Sequence, residues 1–363
     1  MTTELVDLLK ELSAAAGISG YERPIRDLLR ERYAPYVDEF IDDPLGSLTM
    51  IKRGQPEAGD APRRKIMLAA HIDEIGAMVT EIERGFIYFT RVGGLDPRPL
   101  LGQEVTVFGR RPYQGVVASI PPHFAYENRD QYPDLETYQV DLGLPPQVVA
   151  ENVRVGDLIA MRKTPSELLG GLLSGKAMDD RASVASLYVC LKELARLKHS
   201  WDVYAVATSQ EEVGLKGART SAYRINPDVA IAIDVTFADA PGVADGHGID
   251  LDKGPAIGLG ANMHPRVRQK LHDTAAALEM PVQTEAMPAG TGTDAWGIQI
   301  SRDGIPTGLI SIPLRYMHSP IEVVSPNDVE RAGRLMAYFI ADLNEAFLAE
   351  MTPSEGLEED LAA

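Results

Sequence analysis

The hydrophobic pattern divides the chain into two α/β stretches and a β-rich stretch between them. Continuous apolar runs are typical of buried strands, and they occur at residues 66–70, 203–208, 229–233 and 308–312. Apolar residues at helical spacing mark residues 5–16, 25–33, 181–197, 265–278 and 326–347. The pattern predicts the α/β class, with a mixed sheet sandwiched by helices.

The middle stretch, residues 77–165, has a different texture. Short alternating segments separated by Gly and Pro predict a small all-β barrel or sandwich; they are residues 77–82, 86–92, 104–108, 115–120 and 157–161. Candidate ligands lie on both sides of this stretch, so we interpret it as an insertion. The catalytic domain is then discontinuous, with residues 1–76 and 166–363 building one site.

Charge and cysteine content narrow the possible partners and the compartment. The formal net charge of -18 argues against nucleic acid and anionic membranes, because both would repel the chain. The amino terminus lacks the basic start and apolar core of a signal peptide, and no run approaches a membrane span. The single cysteine, Cys190, falls in a helical apolar pattern and cannot form an internal disulfide. We expect a cytoplasmic protein.

His71 and Asp73 follow the first apolar run. In an extended strand, residues i and i+2 project to the same face. One ring nitrogen of His71 could then bind a metal while Asp73 accepts the proton of the other. An isolated His-x-Asp is more often an ordinary half-buried pair. Here further polar residues follow later apolar runs, and ligands bind at the carboxyl ends of strands in open α/β sheets. These residues are Glu211, Glu212, Asp234 at the end of its run, and His318 after a short loop.

Asp179 and Asp180 precede a helical pattern, where carboxylates also serve as ordinary caps. The two oxygens of one carboxylate can, however, bridge two cations about 3.5–4 Å apart. Asp179 is our candidate bridge. A nearby glycine-rich segment, residues 170–177, resembles a phosphate-binding loop, but Ala177 stands where the Mg²⁺-binding Ser or Thr is needed. We therefore predict no nucleotide site there.

The adjacent acids Glu211 and Glu212 also suggest a glycosidase. Retaining glycosidases hold their two carboxyl groups roughly 5–5.5 Å apart across the bond, whereas consecutive strand residues point to opposite faces. We assign Glu212 as a metal ligand and Glu211 as general base. The predicted ligands are His71, Asp179, Glu212, Asp234 and His318. This mix of imidazole and carboxylate suits Zn²⁺, with Co²⁺ or Mn²⁺ as alternatives.

Several short motifs resemble those of the M42 metallopeptidases, cytosolic dinuclear aminopeptidases that include the TET, deblocking and glutamyl aminopeptidases. The motifs are residues 70–76 (AHIDEIG), 176–181 (KAMDDR), 210–214 (QEEVG), 292–295 (GTDA) and 315–320 (RYMHSP), together with Asp234. Met178, Ser183 and Val184 depart from the commoner spelling but touch no proposed ligand.

The resemblance implies the dinuclear zinc exopeptidase fold and two divalent metals per subunit. It implies His71 and Asp234 on one metal, Glu212 and His318 on the other, Asp179 between them, and Glu211 as base. The β insertion would shape a dimer contact, and dimers would often assemble into a tetrahedral dodecamer.

The predicted reaction is hydrolysis of the amino-terminal bond of peptides with a free amino terminus. A water bridging the two metals would lose a proton to Glu211, which would deliver it to the leaving amine. Gly292, Thr293, Arg315 and Tyr316 are candidate substrate-binding residues, although a glycine turn and a strand end would explain them equally well. The alternatives are a deacylase or carboxypeptidase-like amidohydrolase, and a scaffold with a vestigial site.

Overall fold

The computed structural model describes residues 3–55, 63–121, 123, 134–243, 248–349 and 351. Its helices are α1 Thr3–Ala14, α2 Arg23–Tyr33, α3 Pro146–Asn152, α4 Met178–Leu194, α5 Lys216–Ile225, α6 Pro265–Ala277, α7 Asp294–Gln299, α8 Pro326–Ala341 and α9 Glu345–Ala349. Its strands are β1 Glu39–Asp42, β2 Leu48–Lys52, β3 Lys65–His71, β4 Gly76–Glu83, β5 Phe86–Val92, β6 Glu104–Phe108, β7 Pro112–Ala118, β8 Gln139–Asp141, β9 Leu158–Met161, β10 Ser166–Glu167, β11 Leu173–Gly175, β12 Asp202–Thr208, β13 Val229–Phe237, β14 Ala256–Gly260, β15 Gln283–Met287, β16 Thr307–Arg315 and β17 Glu322–Val324.

The larger sheet has 11 strands within the described residues, in the order β1-β2-β12-β3-β13-β16-β17-β11-β10, with β14 and β15 branching from β16. Its centre, β12-β3-β13-β16, is parallel. Successive residues of β3 enter different cores: Leu68 packs with residues of α1, α4 and α8, whereas Met67 packs with residues of α5 and α7. Burial on both faces explains why these strands appear in the sequence as continuous apolar runs.

The β-rich stretch forms a closed antiparallel barrel in the order β4-β5-β8-β7-β6-β9. It has its own apolar core, and closure leaves no unpaired strand edge. The predicted fold class, a mixed sheet with helices and an inserted β barrel, is therefore confirmed. The sequence pattern did not reveal β8, because three residues are too few to show an alternation. The dimerisation role of residues 77–165 stays a prediction.

Two local expectations were wrong. Asp234 does not end its strand, because β13 continues to Phe237 and pairs with β16 up to Leu314. The helix expected over residues 326–347 is divided. The first part, α8, ends at Ala341, and the Asn344 side chain then accepts the backbone N–H of Phe347 at 3.0 Å, which starts a new helix.

Cys190 is buried in α4, as its apolar helical pattern suggested. None of the described helices is long and apolar enough to cross a membrane.

Helices α4 and α8 pack closely at Gly333. A Cβ atom at this position would lie 2.5 Å from the Ser186 carbonyl oxygen and 2.5 Å from the Cβ of Val189. Because α4 begins next to the predicted ligand Asp179, this contact helps to set the position of the site.

We expect Gly333→Ala to lower the free energy of unfolding by about 1–2 kcal/mol. Alanine gains about 1 kcal/mol in helix propensity, but overpacking against the backbone of Ser186 and the Cβ of Val189 should cost about 2–3 kcal/mol, the upper part of the usual range, so the net effect is a loss. Denaturant unfolding measures the effect. Arg334→Ala, at an exposed position of the same helix, is the control and should change little. Unchanged or higher stability of Gly333→Ala would contradict the close packing.

Candidate metal centre

The five predicted ligands and Glu211 line one cavity of about 610 Å³. His71 is the last residue of β3, Asp234 lies within β13, and Asp179 is in the first turn of α4. Glu211 and Glu212 occupy the turn after β12, and His318 lies in the connection between β16 and β17. The parallel centre of the sheet brings the ends of β3 and β12 together, since Thr208 pairs with His71.

Asp179 is at the middle of the group. Its Oδ1 lies 3.0 Å from Nε2 of His71, and its Oδ2 lies 3.3 Å from Nε2 of His318. The same His318 nitrogen is 3.5 Å from Glu212, and the same His71 nitrogen is 3.9 Å from Asp234. One carboxylate therefore faces both imidazoles with different oxygens.

Backbone carbonyls orient both imidazoles. Nδ1 of His71 lies 3.1 Å from the Asp73 carbonyl oxygen, and Nδ1 of His318 lies 3.1 Å from that of Gly94. A carbonyl oxygen can only accept, so each Nδ1 carries a proton, and each Nε2 faces Asp179, where it donates to the carboxylate while protonated and would bind a metal once deprotonated. Gly94 lies between β5 and β6, so the barrel contributes directly to the site.

Asp73 has a different principal role from the one the strand pattern suggested. Because β3 ends at His71, Asp73 lies beyond the strand, and its carboxylate is 3.6 Å from Nδ1 of His71, farther than its own carbonyl oxygen. The carboxylate instead accepts the backbone N–H groups of Glu211 at 3.0 Å and Glu212 at 3.2 Å, and the Ser19 hydroxyl at 2.6 Å. It holds the turn that carries both glutamates.

Glu322 is a buried residue that sequence reasoning missed. One of its carboxylate oxygens accepts the backbone N–H of His318 at 2.8 Å, and the other accepts that of Asp179 at 3.1 Å. A signal was present, since Glu322 follows the last motif by two residues. Its connection to Asp179, however, could not be predicted without the fold.

The site concentrates acidic side chains in a region from which water is largely excluded. Burial raises the pKa of Glu211 to about 10 and that of Glu212 to about 7, and it raises the pKa of Asp234 well above its usual value. Burial also opposes ionisation of Asp179, but hydrogen bonds with His318 and His71 outweigh it and lower its pKa. The bond to Asp179 raises the pKa of His318 to about 9. The acids outnumber the imidazoles, so additional positive charge would stabilise this arrangement.

The donor atoms fit a divalent metal. His71, Asp179 and Glu212 each offer a ligand atom within 4.8 Å of the others, and so do His71, Asp180 and Asp234. Asp180 was not a predicted ligand. Its Oδ2 accepts the backbone N–H of His71 at 3.3 Å, while its buried Oδ1 has no hydrogen-bond partner among the described residues. Imidazole and carboxylate donors are those preferred by Zn²⁺ and related ions.

The candidate substrate-binding residues are not all in the same place. Gly292 and Thr293 line the cavity, but Arg315 and Tyr316 are not among the described residues that do. Arg315 instead donates to the Asp239 carbonyl at 2.7 Å, and Tyr316 is exposed. The sequence reasoning missed other lining residues, namely Arg219, Phe237, Glu285, Met287 and Trp296. Trp296 directly follows the 292–295 motif, but its orientation was not visible from the motif.

Comparisons with known proteins identify the family. The model of the M42 glutamyl aminopeptidase family matches residues 46–335. The chain belongs to the M42 family. It is 35% identical over 344 residues to a lysyl aminopeptidase of Pyrococcus furiosus, covering 93% of this chain and 97% of that relative.

Solved structures agree with this M42 assignment. A TET aminopeptidase from a marine sediment Thaumarchaeota archaeon has a TM-score of 0.89 and 33% identity, covering 96% of this chain and 99% of that one. The TET1 peptidase of Pyrococcus horikoshii, described as assembling into a tetrahedron or a large octahedral shell, has a TM-score of 0.82 and 29% identity, covering 93% and 100%. The family predicted from short motifs is therefore confirmed.

We expect Gly94→Ala to lower the peptidase activity of this M42 protein at least about tenfold, the usual scale for disturbing a residue that orients a ligand. A Cβ at residue 94 would lie 2.5 Å from Nδ1 of His318, so the imidazole or the loop must move. Turnover of an aminoacyl chromogenic substrate measures the loss. Gly170→Ala is the matched control, because its Cβ meets nothing within 4 Å and its φ is not positive. Equal activity of both variants would remove Gly94 from the site.

Proposed function

We propose that this chain removes amino-terminal residues from peptides with two divalent metals bridged by Asp179 and with Glu211 as general base. As an M42 member, the chain is a metal-dependent aminopeptidase. The observation that carries the residue assignment is the position of Asp179, whose two carboxylate oxygens face His71 and His318 separately.

The remaining ligands follow from proximity to each imidazole. Asp234 would join His71, and Glu212 would join His318. When bound, the two cations supply positive charge that polarises a carbonyl oxygen and acidifies water. We favour Zn²⁺, because two imidazoles and three carboxylates suit it, with Co²⁺ or Mn²⁺ as alternatives that depend on supply.

Glu211 is in a suitable place to move a proton. Its backbone is held by Asp73, and its Oε2 lies 3.9 Å from Nε2 of His71, inside the same cavity. Bound cations would oppose the effect of burial and lower the pKa of Glu211, so that its carboxylate would accept a proton from the attacking water and return it to the nitrogen of the leaving group. Asp73 contributes by fixing the turn rather than by touching the reacting atoms.

The cavity suits a substrate with a free amino group. The lining acids that are not proposed ligands, Glu211 and Glu285, would attract an ammonium ion, and this charge distinguishes an amino terminus from a blocked one. Gly292 and Thr293 would contact the peptide. The wall also carries an arginine, Arg219, and a glutamate, Glu285. Residues of both charges can therefore influence the first side chain of the substrate.

We extend the proposal to assembly and location. A second copy of this chain would pack through the barrel insertion, and such dimers would form a tetrahedral dodecamer, consistent with the tetrahedron described for the Pyrococcus horikoshii relative. A single buried cysteine is consistent with the reducing cytoplasm. Neither nucleic acid nor a membrane is a proposed partner.

Glu211→Gln should reduce kcat by about 10²–10⁴-fold, the usual effect of losing a general base, while both metals stay bound. Asp179→Ala should instead lose metal, because no other carboxylate among the described residues contacts the side chains of both His71 and His318. Steady-state kinetics and elemental analysis separate the two effects. Near-normal turnover of Glu211→Gln would exclude it as the base, and full metal content in Asp179→Ala would exclude the bridge.

An aminoacyl chromogenic substrate should be hydrolysed, whereas its N-acetylated form should not. Acetylation removes the positive charge that the acidic cavity recognises, so the expected loss in kcat/KM is at least about tenfold, equivalent to about 1.4 kcal/mol. The assay uses the wild-type chain with added Zn²⁺, Co²⁺ or Mn²⁺, and a chelator as control. Efficient hydrolysis of the acetylated substrate would instead support a deacylase.

A further inference from the structure

Glu322 connects two parts of the site that are far apart in sequence. Its side chain is buried, and each carboxylate oxygen accepts one backbone N–H, from His318 at 2.8 Å and from Asp179 at 3.1 Å. These two residues also meet through their side chains at 3.3 Å. Glu322 thus contacts the backbone of both partners in that contact.

The backbone at both positions needs such support. His318 has a φ of 62° and Tyr316 a φ of 61°, in the left-handed region that residues other than glycine seldom adopt. Asp179 has φ -78° and ψ 100°, which is not helical although it lies in the first turn of α4. A carboxylate that accepts both N–H groups favours these two conformations together.

We infer that Glu322 is the positioning residue for the metal that His318 and Asp179 share. This inference rests on the proposed function. Glu322 would not contact the metal. It would hold the Asp179 backbone and the His318 backbone at the separation that lets Oδ2 and Nε2 converge. Losing it should weaken metal binding at this side of the site before it affects the rest of the fold.

A simpler role for Glu322 would be to compensate the charge of the buried Lys176, because its carboxylate interacts electrostatically with that ammonium group. The hydrogen bonds of Lys176 argue against this role, because none of them goes to Glu322. The ammonium of Lys176 bonds the Glu74 carboxylate at 2.6 Å and the Ala15 carbonyl at 3.2 Å. Glu74 is therefore the direct partner of the lysine and provides a matched control.

The experiment compares Glu322→Gln, Glu322→Asp and Glu74→Gln with the wild-type chain. Glutamine keeps the shape but offers only one oxygen, so one N–H faces an NH₂ group. Aspartate keeps the carboxyl group but is one methylene too short to span both N–H groups. Glu74→Gln removes a charge of equal burial whose hydrogen bonds go to Gly17 and Lys176 instead.

Each protein is stripped of metal, and its thermal unfolding is recorded with chelator to measure the structural cost. Co²⁺ is then titrated alone, and its affinity and visible absorption spectrum are recorded. We expect both Glu322 variants to bind one of the two Co²⁺ ions at least about tenfold less tightly than the wild-type chain does and to show an altered spectrum. Glu74→Gln should keep the wild-type affinity and spectrum even if its unfolding temperature falls as far.

Wild-type affinity and spectrum in Glu322→Gln would overturn the inference while leaving the proposed function intact. Wild-type behaviour in Glu322→Asp would also overturn it, because a carboxyl group too short to span both N–H groups would then suffice. An equal loss of affinity in Glu74→Gln would show general destabilisation instead. If the wild-type chain binds no Co²⁺ and a chelator leaves its peptidase activity unchanged, the proposed function itself fails.

Discussion

The structure depends on the concentration of acidic side chains around Asp179 in a place that water scarcely reaches. Asp179, Asp234 and Glu211 are almost fully buried, and two imidazoles face this group. Buried carboxylates repel one another strongly unless cations or hydrogen bonds compensate. Two divalent metals held by these residues would supply that compensation together with the Lewis acidity needed for hydrolysis, so the charge that makes the site costly is also what would make it functional.

The chain maintains this arrangement mainly through its backbone. Asp73 accepts the N–H groups of the turn that carries Glu211, and Glu322 accepts those of Asp179 and His318. The carbonyl oxygens of Asp73 and Gly94 fix the two imidazoles. Because Gly94 belongs to the barrel, the insertion takes part in the geometry of the site as well as in any contact between subunits.

The chemical groups of the site were predictable because their residue types are informative and follow apolar runs. The residues that support these groups were harder to predict from the sequence. The Glu322 carboxylate accepts backbone N–H groups, and Gly94 offers its backbone carbonyl to His318. Neither residue type predicts such a role. Arg315 and Tyr316, in the motif that contains His318, were candidate substrate-binding residues, but Arg315 donates to the Asp239 carbonyl. Sequence proximity does not determine the direction of a side chain at a strand end.

The sequence by itself determined the α/β alternation, the β insertion and the set of histidines and acids, because hydrophobic periodicity and ligand chemistry are local properties. Only the tertiary structure decided which atoms meet. His71 and Asp179 are 108 residues apart, and Gly94 and His318 are 224 apart. Their contacts depend on strand order, on the barrel joining the sheet, and on the extension of β13 beyond Asp234. Local patterns contain none of this information, since it arises from how distant segments pack.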